Sequence, residues 1–539
     1  MAQVKVSPVS NPGTTMSFSD GRSCKEWLKT IPLTNIPHAQ ELLLDALRVL
    51  NKAEFAPIER LTCLELMRDK VAFLQAEQRA RFSGKTVPLG ATDMAGWQVS
   101  YNVVQEMEAG YRKSFEEGTG GAVDVEAHLA LIVQRIMRYI GLQMLFAGMI
   151  YRRFDPALWT RLHLQWIEAE SRGLTQKSVR DSVGSIDGTS SVAAAYIAIL
   201  LAQLANTYEL APRQIDFVDA LLKRFAAKVT IEADPAKCAD LPLVVVDLFG
   251  NTGATAGHGE EAADHLRFLR VDELSKSLRR RIIKLGEGEN PALLNLPSDW
   301  SAQDSLLQLK RAHRLWCEGG GGGRPHGIVP EETRAQLAFG INDLHFFVSG
   351  QAFEQPGKKR ELTRQELNDI TMFGKLSEAT LQARTGGNMF VAETWGIVDE
   401  GKGHIRVLRP GNASHGVAIG RLVGLRVGGK GPILATVIRE IVQDLDGALT
   451  IVLGMLPGMP EAVAVRSADS RTRTSGNFLQ AVRLPAVAGL NSPQTLVVPT
   501  GLAQLSRGLD LSVPNGDSRE VTVSEFVERG VDFDRIAVF

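Results

Sequence analysis

The sequence predicts an α+β protein: a mainly helical N-terminal bundle or solenoid, then a small antiparallel β-barrel with a helical insert and a C-terminal β extension. Three observations predict it. From about residue 35 to residue 316, apolar residues recur every three or four positions. A run of five glycines at 319–323 follows. Beyond it the apolar period falls to two, and short Val/Ile/Leu runs are punctuated by glycine and proline. With 44% hydrophobic and 22% charged residues in 539, the chain has the composition of folded domains, not of a disordered polymer.

The helical elements follow in order. Leu43, Leu47 and Leu50 lie on one face. Ile58, Leu61, Leu64, Met67, Val71 and Leu74 step by three and four after Pro57, where a first-turn proline fits. The same reading covers 91–115, 125–151, 156–171, 190–206 and 213–227, with further helices at 259–270, 271–285 and 301–316. Each presents an apolar stripe that a neighbour must cover. Short connections predict antiparallel hairpins stacked into a bundle. Residues 1–34 read as a flexible tail, 35–318 as the helical domain, and 319–327 as a hinge, because successive glycines cannot hold a helix.

Strand signals lie at 404–408, 421–427, 433–442, 448–455 and 463–465. Together with a first strand at 336–348 they predict a barrel over 328–470, with a helical insert at 360–385. The insert opens on Thr363 and Glu366, which stand at capping-box spacing. Residues 471–539 read as a β extension with strands at 478–484, 495–499, 520–524 and 536–539.

Composition excludes several classes. Lys and Arg number 60 against 61 Asp and Glu, a net charge of −1, which argues against a protein that coats DNA or RNA. Cys24, Cys63, Cys238 and Cys317 have no metal-ligand or CxxC spacing and read as reduced thiols of a cytoplasmic protein. The uncharged stretch 188–208 is strongly apolar only over 192–205, short of the ~20 residues a bilayer requires, and reads as a buried helix, not a membrane span. There is no GxxxxGK[ST] and no GxSxG. The glycine-rich stretch 250–259 follows an apolar run at 241–249 but lacks a lysine, and Glu260 and Glu261 stand where a pyrophosphate would lie. His258, Glu261 and His265 read as a polar helix face, not as a metal site. The expectation is a non-enzymatic protein without cofactor or metal.

One pattern remains. Arg360 and Arg364 have RxxxR spacing, and Arg324 directly follows the glycine run. Downstream, Trp395 leads Gly396-Ile397-Val398-Asp399-Glu400-Gly401-Lys402-Gly403-His404. Guanidinium forks bind phosphates bidentately and stack on guanine, while a carboxylate accepts from the guanine edge. A solvated basic loop beside a β-turn accounts for the same residues.

The stretch 395–454 resembles a PilZ domain, a barrel that binds cyclic di-GMP. W-G-I-V-D-E-G-K-G-H-I-R-V stands for its [D/N]xSxxG strand end, and R-L-V-G-L-R-V, A-T-V-I-R-E-I and L-T-I-V-L-G-M-L for later strands. In the N-terminal half, L-L-L-D-A-L-R-V-L-N, I-E-R-L-T-C-L-E-L-M-R and A-N-T-Y-E-L resemble long bacterial proteins that carry a helical region before such a domain. The resemblance implies cyclic di-GMP as ligand, with Arg324, Arg360, Arg364, Asp399 and Gly403 as candidate contacts. The arginine motif has two registers, one at Arg324 and one at Arg360 and Arg364. Gly401 stands in place of the motif serine and His404 in place of its last glycine. The implied function is a cytoplasmic receptor or adaptor that couples dinucleotide binding to a protein partner through the helical region. The alternative is a scaffold whose barrel no longer binds nucleotide.

Overall fold

A computed structural model describes residues 18–82, 84–238, 242–257, 259–319, 327–328, 333–357, 363–374, 377, 380, 390–429, 431–468, 477–513 and 518–539. Two compact units form: Met1–Lys85 with Leu89–Gly323, and Thr86–Pro88 with Arg324–Phe539. Helices dominate the first and β-barrels the second, so the α+β architecture predicted from periodicity is the one observed.

The first unit contains α1 (Gly21–Lys29), α2 (Ile36–Lys52), α3 (Pro57–Phe82), α4 (Ala91–Thr119), α5 (Val123–Glu126), α6 (Leu129–Met149) and α7 (Ala157–Ser171). A two-strand ribbon of β1 (Val179–Arg180) and β2 (Thr189–Ser190) leads into α8 (Val192–Leu204) and α9 (Pro212–Phe225). Local signals start several helices. Asp20 caps α1 by accepting from the Ser23 amide at 2.7 Å, Ser191 caps α8 from Ala194 at 3.1 Å, and Asn35 and Pro37 open α2. The α1 helix corrects the expected tail. Residues 21–29 are helical, and Cys24 and Leu28 are buried. Cys24 of α1 is a neighbour of Cys63 of α3, and that neighbour together with burial pushes the Cys63 thiol up, a contact that their spacing does not reveal.

Helices α4 and α6 form the centre. Trp97 donates its indole N–H to the Phe146 carbonyl at 2.8 Å, and Tyr111 stacks on Tyr139 with ring centroids 5.7 Å apart. Among the described residues, α6 is the helix long and apolar enough to cross a membrane, and 67% of its most apolar window is buried inside the bundle. A salt-bridged cluster crosses this interior. Asp181 accepts from Arg68 at 2.6 Å and from Gln134 at 2.9 Å, while Arg135 donates to Glu65 at 2.8 Å. These pairings satisfy charges that would otherwise be buried alone.

A small sheet runs in the order β3 (Thr230–Glu232), β6 (Leu266–Arg270), β4 (Val244–Asp247), β5 (Thr255–Ala256). This overturns the helix expected over 259–270. Phe268 pairs with Glu232 on one side and Val245 on the other, so sheet neighbours decide the conformation of β6. The described part of the glycine-rich stretch follows β4, contains β5 and precedes β6 in the chain. The hairpin of α10 (Asp272–Gly286) and α11 (Ala302–Cys317) closes the unit, and Trp316 donates to the Leu201 carbonyl at 2.8 Å. All four cysteines are free thiols and buried.

In the second unit, β7 (Gly327–Ile328), β8 (Arg334–Phe339), α12 (Ile341–Ser349), α13 (Arg364–Phe373), β9 (Glu393–Gly401), β10 (His404–Leu408), β11 (Leu422–Val427), β12 (Leu434–Gln443) and β13 (Leu449–Met455) follow one another. Their sheet runs β10-β13-β12-β11-β8-β9, and β9 pairs back onto β10, closing six strands into a barrel with β7 added beside β9. The first long strand ends at Phe339, not at 348; Gly340, at φ +86, turns the chain into α12.

A second closed barrel contains β14 (Glu461–Ser467), β15 (Leu479–Leu484), β16 (Thr495–Pro499), β17 (Gly508–Ser512), β18 (Arg519–Arg529) and β19 (Phe533–Val538). The expected extension is therefore a barrel in its own right, and the strand near 463 belongs to it. The pairing explains this: Glu461 to Val465 face β15, and Ala464 to Ser467 face β17. Its core is Val463, Val465, Leu496, Leu509, Val521 and Ile536. Helix α12 packs against β8 and β11 of the first barrel and β14 and β15 of the second. Leu344, Leu422, Val437, Val482 and Phe533 share one buried cluster there.

Candidate ligand-binding site

Alternation along β9 sets the geometry of the β9–β10 hairpin. Glu393, Trp395, Ile397 and Asp399 are buried, whereas Thr394, Val398 and Glu400 are exposed. Asp399 is therefore buried, next to a register shift in the pairing of β9 with β10. Its Oδ2 accepts from Nη1 of Arg406 at 3.1 Å, directly across the hairpin, and Nη2 of Arg406 is 3.8 Å from Glu440 on β12. Gly403 makes the turn at φ +77, a conformation that favours glycine, and its carbonyl accepts from the Met455 amide at 2.9 Å.

The chain that resumes after the glycine run is placed against this hairpin. Ile328 pairs with Asp399 and Gly327 with Glu400, so β9 is flanked there by β7 and β10. Of the sequence-predicted residues, Asp399 and Gly403 come together on one hairpin. Arg364 is exposed at the first turn of α13, behind the expected capping box: Thr363 accepts from the Glu366 amide at 3.3 Å, and the Glu366 carboxylate accepts from the Thr363 amide at 2.8 Å. No hydrogen bond or ion pair joins Arg364 to the hairpin among the described residues. Arg324 and Arg360 lie outside the described residues, as does His258 of the rejected metal set. Among the described residues, no cluster of three His, Cys, Asp or Glu side chains could hold a metal ion.

Sequence reasoning passed over Arg406 and Glu393. Period-two alternation puts Arg406 on the barrel strand, but only the register puts it across from Asp399. At the other end of β9, Oε1 of Glu393 accepts from the amides of Ser414 and His415 at 2.7 and 2.9 Å and lies 2.8 Å from the His415 ring Nδ1. Oε2 accepts from the Trp395 indole at 3.1 Å. Burial pushes this carboxyl up, but hydrogen bonds from His415, Trp395 and Ser414 outweigh it and hold the pKa at about 2. Glu393 thus anchors the 414–415 loop to the barrel wall that carries Asp399. The barrel offers fixed polar groups at this hairpin.

Two family models match the chain. Residues 22–236 match the cyclic-di-GMP receptor FimW, N-terminal domain, and residues 463–538 match the FimW C-terminal beta-barrel domain. A curated relative from Pseudomonas aeruginosa (strain PAO1), described as "Cyclic-di-GMP receptor FimW", is 22% identical over 528 residues, spanning 90% of this chain and 85% of the relative. No solved structure matches. The chain is similar to the FimW cyclic-di-GMP receptors in its helical start and in its second barrel. The first barrel lies between the two matched ranges.

Proposed function

We propose that this chain is a non-enzymatic receptor for cyclic di-GMP, acting in the cytoplasm and passing the signal to a protein partner through its helical domain. The observation that carries the reading is the similarity of residues 22–236 and 463–538 to the two FimW domains. The β9–β10 hairpin of the first, PilZ-like barrel is the binding face in this reading. Asp399 is its acceptor for a guanine edge, and Gly403 permits close backbone approach. Arg324 stands three residues before β7, whose Ile328 pairs with Asp399. Arg324, or Arg360 with Arg364, supplies the guanidinium groups for the phosphates. Binding then biases the segment around β7, and the helical unit presents a different surface.

Thermal shift and calorimetry on the full chain test this. Cyclic di-GMP at 100 times its dissociation constant should stabilise by about 2.7 kcal/mol. No heat and no shift at tens of micromolar overturn it.

A second reading is favoured by one observation: Asp399 is already engaged by Arg406, and Gly401 and His404 stand where the motif has serine and glycine. In that reading the chain is a scaffold whose barrel has lost its ligand. Gly401→Ser with His404→Gly separates the two. Binding seen only in the double variant supports the scaffold, and binding in the natural chain supports the receptor.

A further inference from the structure

The helical unit contains a cavity of about 590 Å3 bounded by α3, α6, α8 and α9. Small-molecule sites typically occupy about 300–1,000 Å3. One face of α8 lines it: Ser191, Ala194, Ala198 and Ala202. At 1.5 Å per residue that face runs about 17 Å, so the space is elongated. Alanine along this face leaves room that larger side chains would fill. The facing helices add apolar surface, with Val71 from α3, Tyr139 and Leu142 from α6, and Val218 and Leu222 from α9.

Polar side chains also line the cavity, and the charged ones are biased in sign. Arg79, Arg138, Lys223 and Arg224 line the cavity against Asp187 and Asp219. Asp219 engages Arg79 at 3.2 Å and Lys223 at 2.9 Å. Arg138 is held loosely. Its Nη1 is 3.9 Å from Asp181, a carboxylate already taken by Arg68 and Gln134, and its Nη2 donates to the Val183 carbonyl at 3.4 Å. The guanidinium lies against Gly184, where a Cβ would stand 1.8 Å from Nη1. Any side chain at 184 would displace it.

Gln75 adds an independent sign. It lines the cavity, is 4% exposed, and donates to the Ser100 carbonyl at 3.0 Å. Its Oε1 is a buried acceptor without a donor. Buried acceptors in folded proteins are nearly always met, so this one is an anchor for a donor that an occupant brings, such as a hydroxyl along its chain.

We propose that this cavity binds an elongated anionic amphiphile, an acyl chain lying along the alanine face of α8 with its carboxylate on Arg138. The site is a second ligand input, independent of the dinucleotide reading. The alanine face of α8 and the apolar side chains opposite it select the chain, the surplus of cations selects an anion, and the loosely held guanidinium at Gly184 provides a charge-assisted contact.

Calorimetry of the full chain with dodecanoate tests it, with dodecanol as the neutral control. The natural chain should bind dodecanoate with a dissociation constant below about 100 µM. Ala198→Phe, which fills the middle of the cavity, should weaken binding at least about 10-fold while circular dichroism stays unchanged. Arg138→Gln should weaken dodecanoate about 10-fold and leave dodecanol as it was. Absence of dodecanoate binding overturns the proposal, and so does Ala198→Phe binding like the natural chain. If the phenylalanine variant does not fold, Arg138→Gln decides: equal loss for acid and alcohol, or no loss for either, overturns the assignment.

Discussion

Arg406 donates to Asp399 at 3.1 Å across the β9–β10 hairpin, so the acid that sequence marks as a guanine acceptor already holds an internal cation. Any ligand using Asp399 must share it with Arg406 or draw Arg406 toward itself. The pair is partly buried, and charge-assisted hydrogen bonds of this kind contribute about 1.5–3 kcal/mol. A double-mutant cycle with Asp399→Ala and Arg406→Ala should return a coupling of about 1–2 kcal/mol in urea unfolding. A coupling near zero would show that the two side chains do not act as a unit.

Glu393 yields a prediction in pH. Its folded pKa of about 2 lies below the ordinary 4.5, so its stabilisation is complete above 4.5 and is lost as pH falls from 4.5 toward 2. Glu393→Gln should lower stability by about 2–3 kcal/mol at neutral pH through weaker hydrogen bonds to Ser414, His415 and Trp395. The gap between the two proteins should close as acid is added. Melting curves from neutral pH downward read it directly, and a gap that persists at low pH contradicts the assignment.

Asp181 is the hub of the helical unit. Asp181→Ala leaves Arg68 and Arg135 buried without this partner, which should cost about 3–5 kcal/mol. Asp181→Asn keeps hydrogen-bonding capacity and should cost less. Denaturant midpoints measure both, and equal losses in the two variants would point to packing, not charge.

His163 is fully buried, its Nδ1 2.7 Å from the Tyr196 hydroxyl and its Nε2 2.8 Å from the Thr252 carbonyl. Burial pulls its pKa below the ordinary 6.5. The unfolded chain then binds the extra proton first, so stability present above 6.5 declines as pH falls below it. His163→Gln should flatten the melting temperature between pH 7 and about 5 relative to the natural chain.

Much of this architecture was written locally. The helix over 57–82 follows from apolar steps of three and four after Pro57. The capping box at Thr363 and Glu366 was visible as spacing and is present as two hydrogen bonds. The Asp20 cap of α1 obeys the same chemistry, yet the nine residues of α1 carry too short an apolar pattern to stand out from a tail. The sequence predicts a helix over 259–270, and the strand partners β3 and β4 of β6 override that local signal.

From its sequence alone this protein is mainly helical before the glycine run and mainly strand-built after it, since side-chain period is a local property that either backbone geometry needs in order to bury an apolar face. Pairing was settled only in three dimensions. Register placed Arg406 against Asp399 and Ile328 beside it, and strand partners drew Glu461–Ser467 into a second closed barrel. Converging helices left a cavity over the alanines of α8. These are contacts between residues far apart in the chain, and no window along it contains both members of such a pair.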